Sequence, residues 1–257
     1  MALLELQNIG KNFIKNGESV RVLDGVSLSV EAGKCMGLVG QSGCGKSTLS
    51  RIAARLTDTD EGRIILDGID ITQLDGKELR PVYERMQMIF QQPEESFNPR
   101  RLLGWSVSEP LRRHGVSEKE GIERAAALLE EVGLPAGYVD RYPHEVSGGE
   151  CQRAAIARAL AMKPQLLICD EATSALDVTI QREITALLRG LIDKGMACLF
   201  VTHDLALLPD VADCVAVMDK GRIVETGDVY DIVKNPQSSA ARELLAADLF
   251  SEILDTE

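Results

Sequence analysis

The chain has 257 residues, 45% of them hydrophobic and 26% charged, enough to bury a sizeable core as one large domain or as a domain with an insert. Its 28 basic against 40 acidic residues give a net charge of −12, which argues against a nucleic-acid binder and against direct adsorption to an anionic membrane surface. No apolar run approaches the ~18 residues of a spanning helix, and Met1-Ala2-Leu3-Leu4-Glu5 lacks the regions of a signal peptide, so a cytosolic location is expected unless a partner recruits the chain to a membrane.

Leu3-Leu4-Glu5-Leu6 starts a strand, Asn16-Gly17 between Phe13 and Val20 is a hairpin turn signal, and Val26, Leu28 and Val30 alternate in a further strand. With Gly62 to Leu66 and the turn Asp67-Gly68, these predict a small antiparallel β layer. Phe13 is the aromatic of this layer best suited to stack on a purine ring, though a lone Phe in an apolar strand is more commonly core.

Lys34 to Val39 reads as a buried strand, followed by Gly40-Gln41-Ser42-Gly43-Cys44-Gly45-Lys46-Ser47-Thr48, a match to the phosphate-loop pattern G-x-x-x-x-G-K-[ST]. Leu49, Ile52, Ala53 and Leu56 then recur at helical spacing. Strand, glycine turn and helix N-terminus aim backbone N–H groups at one point, where the glycines let the chain close around phosphate oxygens. Lys46 is expected to reach the β- and γ-phosphates, with the Ser47 hydroxyl on Mg²⁺. Cys44, beside Lys46 at a helix start, is expected to have a lowered pKa and to be the first thiol alkylated. The other five cysteines lie mostly in apolar runs without C-x-x-C spacing, and His114, His144 and His203 show no metal-ligand spacing.

Met86 to Phe90 is a short apolar run ending in Gln91-Gln92-Pro93. Asn98 to Tyr142 reads mainly as helices, with a capping box at Ser117 and Glu120. Residues 91–163 are taken as a helical lobe inserted into an α/β core of residues 1–90 and 164–257, the whole forming one domain. Within the lobe, Val146-Ser147-Gly148-Gly149-Glu150 opens a helix, and Ser147 is a good N-cap. Two glycines in a first turn weaken it, so backbone approach to a second anion is the expected reason for them.

Leu166 to Cys169 is an apolar strand ending in Asp170 and Glu171, suited to hold Mg²⁺ and to polarise a water. Ser174-Ala175-Leu176-Asp177 leads into a helix, and Ala197 to Val201 is a strand ending in Thr202-His203-Asp204. Ligand-facing residues gather at strand C-termini in open α/β sheets, which makes His203 a candidate for the γ-phosphate. Val215 to Met218, Lys220-Gly221 and Arg222 to Val224 read as a hairpin, and Ala240 to Ile253 as a terminal helix.

From Leu3 to about Leu245 these motifs, in this order, resemble the ATP-binding subunits of ABC transporters. The phosphate loop is shared with many nucleoside triphosphatases, whereas Val146 to Glu150 resembles the L-S-G-G-Q signature of this family. The resemblance implies a P-loop ATPase with a mixed sheet, an N-terminal antiparallel layer and an inserted helical lobe, using ATP and Mg²⁺. It implies Phe13 as the adenine-stacking aromatic and Gly40 to Thr48 as the nucleotide loop. Ser47, Gln91 and Asp170 become the Mg²⁺ residues, and Glu171, His203 and Gln91 the catalytic set. Ser147, Gly148, Gly149 and Glu150 would bind the ATP of a partner subunit, with Asp177 in the loop beside it. Implied partners are a second ATPase subunit in a head-to-tail dimer, two transmembrane permeases and, indirectly, an extracytoplasmic binding protein, at the cytoplasmic face of the membrane and without nucleic acid.

Two residues depart from the family pattern. Glu150 replaces the signature glutamine and is expected to weaken ATP clamping by its charge, and Gln92 stands where relatives commonly carry Asp. Gln41 to Gly45, Asn98-Pro99-Arg100, Cys151-Gln152-Arg153 and Ala197 to Leu205 are similar to the nickel and peptide importers. The end of the chain at Glu257 tilts the expectation toward nickel or a metal chelate, with dipeptide or oligopeptide import as the alternative. A soluble, non-transport ABC ATPase and a phosphate-loop kinase or GTPase are rivals. The first would carry long coiled coils or a second such domain, and the second leaves Ser147-Gly148-Gly149 unexplained.

Overall fold

The structure, a computed structural model, describes residues 2–15, 17–174 and 176–254, with side chains as far as residue 246. Asn16 of the expected hairpin turn, Ala175 of the Ser174-to-Asp177 loop and the side chains of the last turns of the terminal helix lie outside the described residues.

β1 (Ala2–Lys15) and β2 (Glu18–Glu31) pair antiparallel, from Ala2 opposite Glu31 to Lys15 opposite Glu18. β3 (Cys35–Val39) runs into the phosphate loop and α1 (Lys46–Ala53). β4 (Glu61–Leu66) and the short β5 (Ile69–Asp70) complete a four-stranded antiparallel layer in the order β2-β1-β4-β5. Asp67 and Gly68, both at positive φ (49° and 76°), make the turn between the last two, as their sequence predicts.

α2 (Arg80–Arg85) and β6 (Met86–Ile89) precede three longer helices, α3 (Leu103–Arg113), α4 (Glu118–Glu131) and α5 (Gly148–Leu160). Only half of the capping box expected at α4 is made. The Ser117 hydroxyl accepts from the Glu120 N–H at 3.3 Å, while the Glu120 carboxylate pairs with Arg124. The chain continues through β7 (Leu166–Asp170), α6 (Val178–Asp193), β8 (Ala197–Thr202), α7 (Leu208–Val211), β9 (Cys214–Asp219), β10 (Arg222–Asp228), α8 (Val229–Lys234) and α9 (Ser239–Leu254).

A second sheet has the order β10-β9-β3-β8-β7-β6, parallel throughout except for its edge strand β10. Its inner strands are near-continuous apolar runs because both faces are covered. Alternate residues enter opposite cores: Leu38, Ile168 and Val201 face α1 and the antiparallel layer, while Val39, Cys169 and Phe200 face the helices on the other side. The phosphate loop therefore leaves a strand locked from both sides, and its position is set by the two cores rather than by its own contacts.

Candidate active site

Val39 is fully buried, and the chain turns sharply at Gly40, where an added Cβ would lie 2.3 Å from the Met218 carbonyl and 2.7 Å from the Cys44 Sγ. Gly43 and Gly45 take φ of 82° and 113°, which favours glycine at both. Gly45 caps α1 without a side-chain hydrogen bond, so the first N–H groups of the helix face the loop. Lys46 is 4% exposed, and its Nζ donates to the Gly40 carbonyl at 2.7 Å and to that of Gln41 at 3.2 Å. The Gln41 amide donates to the Glu243 carboxylate of α9 at 3.0 Å, tying the loop to the far end of the chain.

The expectation for Cys44 is corrected. Its thiol is buried against the loop, and burial raises its pKa despite the opposing pull of Lys46. Among the described residues the exposed cysteine is Cys214. A position beside a lysine and a helix start lowers a thiol's pKa only where the thiolate can be solvated.

Asp170 ends β7 at 5% exposure, and its Oδ1 has no hydrogen-bond partner among the described residues. Burial raises its pKa, with the Ser50 and Ser47 hydroxyls acting against that rise. Glu171 follows in a left-handed conformation (φ 50°), an uncommon one for a residue with a Cβ, while its N–H still bonds the Val201 carbonyl at 2.9 Å. That bend delivers the carboxylate between the Lys46 ammonium and the His203 ring. Its Oε1 lies 3.8 Å from Lys46 Nζ and its Oε2 3.9 Å from Nδ1 of His203, which follows β8. Gln91, one residue beyond Phe90 at the end of β6, donates to the Ser174 hydroxyl at 3.1 Å, which in turn donates to the Glu171 carbonyl at 3.0 Å. The C-terminal ends of four parallel strands thus gather Lys46, Asp170, Glu171, His203 and Gln91 on one side of the sheet.

The other candidates sit elsewhere. Phe13 is 42% exposed on β1, with Lys11 Nζ 5.6 Å from its ring centroid, a surface platform rather than a core residue. Asp177 caps α6 by accepting from the Ile180 N–H at 3.0 Å. At the start of α5, Ser147 and Glu150 form a complete capping box, Ser147 N–H to Glu150 Oε2 at 2.8 Å and Glu150 N–H to Ser147 Oγ at 3.3 Å. The remaining Glu150 oxygen accepts from the Tyr138 hydroxyl at 2.6 Å, a partner that no motif indicates. The Tyr138 bond, then the Ser147 N–H, hold the Glu150 carboxyl below its ordinary range. Of the two glycines, Gly149 has a packing reason, because an added Cβ would lie 2.6 Å from Ile180 Cγ2. Gly148 has none, with Leu176 Cδ2 at an ordinary 3.7 Å, so packing accounts for one of the two glycines.

A phosphate loop on a doubly covered, mainly parallel sheet, with carboxylates at the end of the strand two places away, defines a phosphate-loop ATPase. A family model described as ABC transporter matches residues 23–174. A relative in Brucella ovis, named as a peptide import ATP-binding protein, is 41% identical over 95% of this chain and 78% of its own length. The oligopeptide transport ATP-binding protein OppF of Escherichia coli is 40% identical over 95% of this chain and 77% of its own. Among solved structures, an ATP-binding cassette dimer in a post-hydrolysis state with ADP and Pi superimposes with a TM-score of 0.80 at 29% identity, over 88% of this chain and 98% of that one. The chain belongs to the ABC transporter family, as one of its ATP-hydrolysing subunits.

Proposed function

We infer that the chain powers a peptide importer, hydrolysing ATP at a dimer interface and passing the resulting motion to membrane-embedded permeases. The names of the relatives favour peptide over nickel. The tilt toward nickel rests on where the chain ends, which carries no information about cargo. Among the described residues no helix is long and apolar enough to cross a membrane, so in this reading the permeases hold the subunit at the cytoplasmic face.

The observation that carries the ATPase part is the Glu171 carboxylate held between Lys46 and His203 beside the buried Asp170. Lys46 exchanges its loop carbonyls for β- and γ-phosphate oxygens, with the N–H groups of Gly40 to Thr48 closing around them. Glu171 orients the attacking water and takes its proton, and His203 steadies the γ-phosphate. Phe13 stacks on the adenine. The hard oxygen donors fit Mg²⁺: the unpaired Asp170 Oδ1 and the Ser47 hydroxyl, with Gln91 as a third ligand. When bound, the ion neutralises charge on the phosphates.

Ser147, Gly148, Gly149 and Glu150 face the ATP of a second ATPase subunit, alike or different, and Asp177 lies in the loop beside that contact. Residues 91–163 act as a lobe that moves against residues 1–90 and 164–257, with Gln91 as the link. The test is uptake in cells lacking the chain. Growth on an oligopeptide as amino-acid source should be lost while nickel accumulation is unchanged, and the opposite pattern overturns peptide as the cargo.

A further inference from the structure

The Glu150 carboxylate poses a problem at the start of α5. Among the described residues the Gly148 and Gly149 N–H groups form no hydrogen bond, so they are the donors open to an anion, and a negative charge three residues inside the cap opposes that anion. Glu150 is not a free charge, however. Oε2 accepts from the Ser147 N–H at 2.8 Å and Oγ at 3.0 Å, and Oε1 accepts from Tyr138 at 2.6 Å. Tyr138 is itself half-buried in the turn Ala136–Asp140, with the Arg141 guanidinium 4.2 Å from its ring centroid. A capping box needs only the Ser147 bonds, and the Tyr138 bond is additional.

We propose that Tyr138 is a positioning residue for nucleotide-dependent dimer closure: by occupying Oε1 it locks the Glu150 carboxylate into the cap, leaving the Gly148 and Gly149 N–H groups to the partner subunit's nucleotide. This rests on the reading of Ser147 to Glu150 as the partner-facing anion site. Tyr138→Phe keeps the ring and its stacking while removing the hydroxyl. Glu150→Gln keeps a side chain that can complete the capping box without the charge.

The test is a double-mutant cycle of Tyr138→Phe with Glu150→Gln, reading KM for ATP, kcat and the Glu150 carboxyl titration by NMR. In the otherwise wild-type chain, Tyr138→Phe should raise KM roughly fivefold to tenfold, the scale of one lost charge-assisted hydrogen bond, with kcat within about twofold. The Glu150 titration should move up by about one pH unit. In the chain already carrying Glu150→Gln, the same change should alter KM less than about twofold, because no charge remains to be held. Equal effects in both backgrounds, or no effect in either, overturn the inference. The titration needs no nucleotide. If it moves as expected while KM is unchanged in both backgrounds, Tyr138 does hold Glu150 but the partner-facing reading fails, a result distinct from an unmoved titration.

Discussion

At the C-terminal ends of β3 and β7 lie the buried Lys46 and Asp170, the latter incompletely partnered, whereas at the start of α5 the polar side chains of Ser147 and Glu150 are less buried and fully partnered. Lys46 is 4% exposed, Asp170 Oδ1 has no partner among the described residues, and Glu171 sits at φ 50°. Around Ser147, by contrast, both Glu150 oxygens and the Ser147 hydroxyl are satisfied, by one another and by Tyr138 from a separate turn. The first region carries an unpartnered buried carboxylate oxygen and an uncommon backbone conformation, so its chemistry shows in the isolated chain. In the second the side chains are satisfied while the Gly148 and Gly149 N–H groups lack a partner among the described residues, and its role appears only against something outside the chain.

The largest contrast to break is at Lys46. Lys46→Ala should lower nucleotide affinity by about a hundredfold or more, since it removes a buried cation and several charge-assisted bonds at once. Fluorescence titration measures it, and an affinity within threefold of wild type would remove Lys46 from the phosphate site. Glu171→Gln comes next. Binding should persist while hydrolysis falls by about 10²–10⁴, the range for a base or water-orienting group. Normal turnover in single-cycle kinetics would assign that role to another residue.

The first region is also the legible one. A linear motif, two apolar strands ending in polar residues and a helical pattern single out Lys46, Asp170, Glu171 and His203 from the sequence, because strand ends in such sheets converge. Contacts between distant segments leave no trace in the pattern. Gln41 meets Glu243 across 202 residues, and Tyr138 meets Glu150 from a separate turn. Cys44 misleads for a related reason: adjacency to Lys46 is visible in the sequence, burial is not, and burial dominates its thiol. The glycines at the start of α5 look like one feature in the sequence, yet only Gly149 is constrained by the Ile180 side chain of α6.

That difference gives the next prediction. Gly149→Ala places a methyl 2.6 Å from Ile180 Cγ2, a stiff β-branched group. Overpacking of this kind costs about 1–3 kcal/mol, partly offset by about 1 kcal/mol of helix propensity. A drop in Tm of a few degrees is expected by calorimetry. Gly148→Ala, whose methyl meets Leu176 Cδ2 only at 3.7 Å, should leave Tm unchanged or slightly higher. Equal losses at the two positions would contradict the packing account of Gly149.

The smallest effect tests the cost of an unpaired buried carboxylate directly. Burial raises the Asp170 pKa above its ordinary 3.8, so just above pH 3.8 the folded chain holds a proton that the unfolded chain has released. Stability therefore falls as pH rises through that window and stays reduced at neutral pH, where the charge is carried in a site that does not fully solvate it. Asp170→Asn removes the charge and keeps the shape. Without nucleotide or Mg²⁺ it should raise Tm at pH 7 by about 2–4 °C, the shift that roughly 1 kcal/mol produces in a chain of this size. The gain should shrink as pH falls toward 4. Adding Mg²⁺ with a non-hydrolysable ATP analogue should reverse the order, because the wild type offers the ion a carboxylate at position 170 and the variant only an amide. A lower Tm for Asp170→Asn at pH 7 without ligand would mean that Asp170 already has adequate partners within the chain, and the contrast between the two regions would lose its main support.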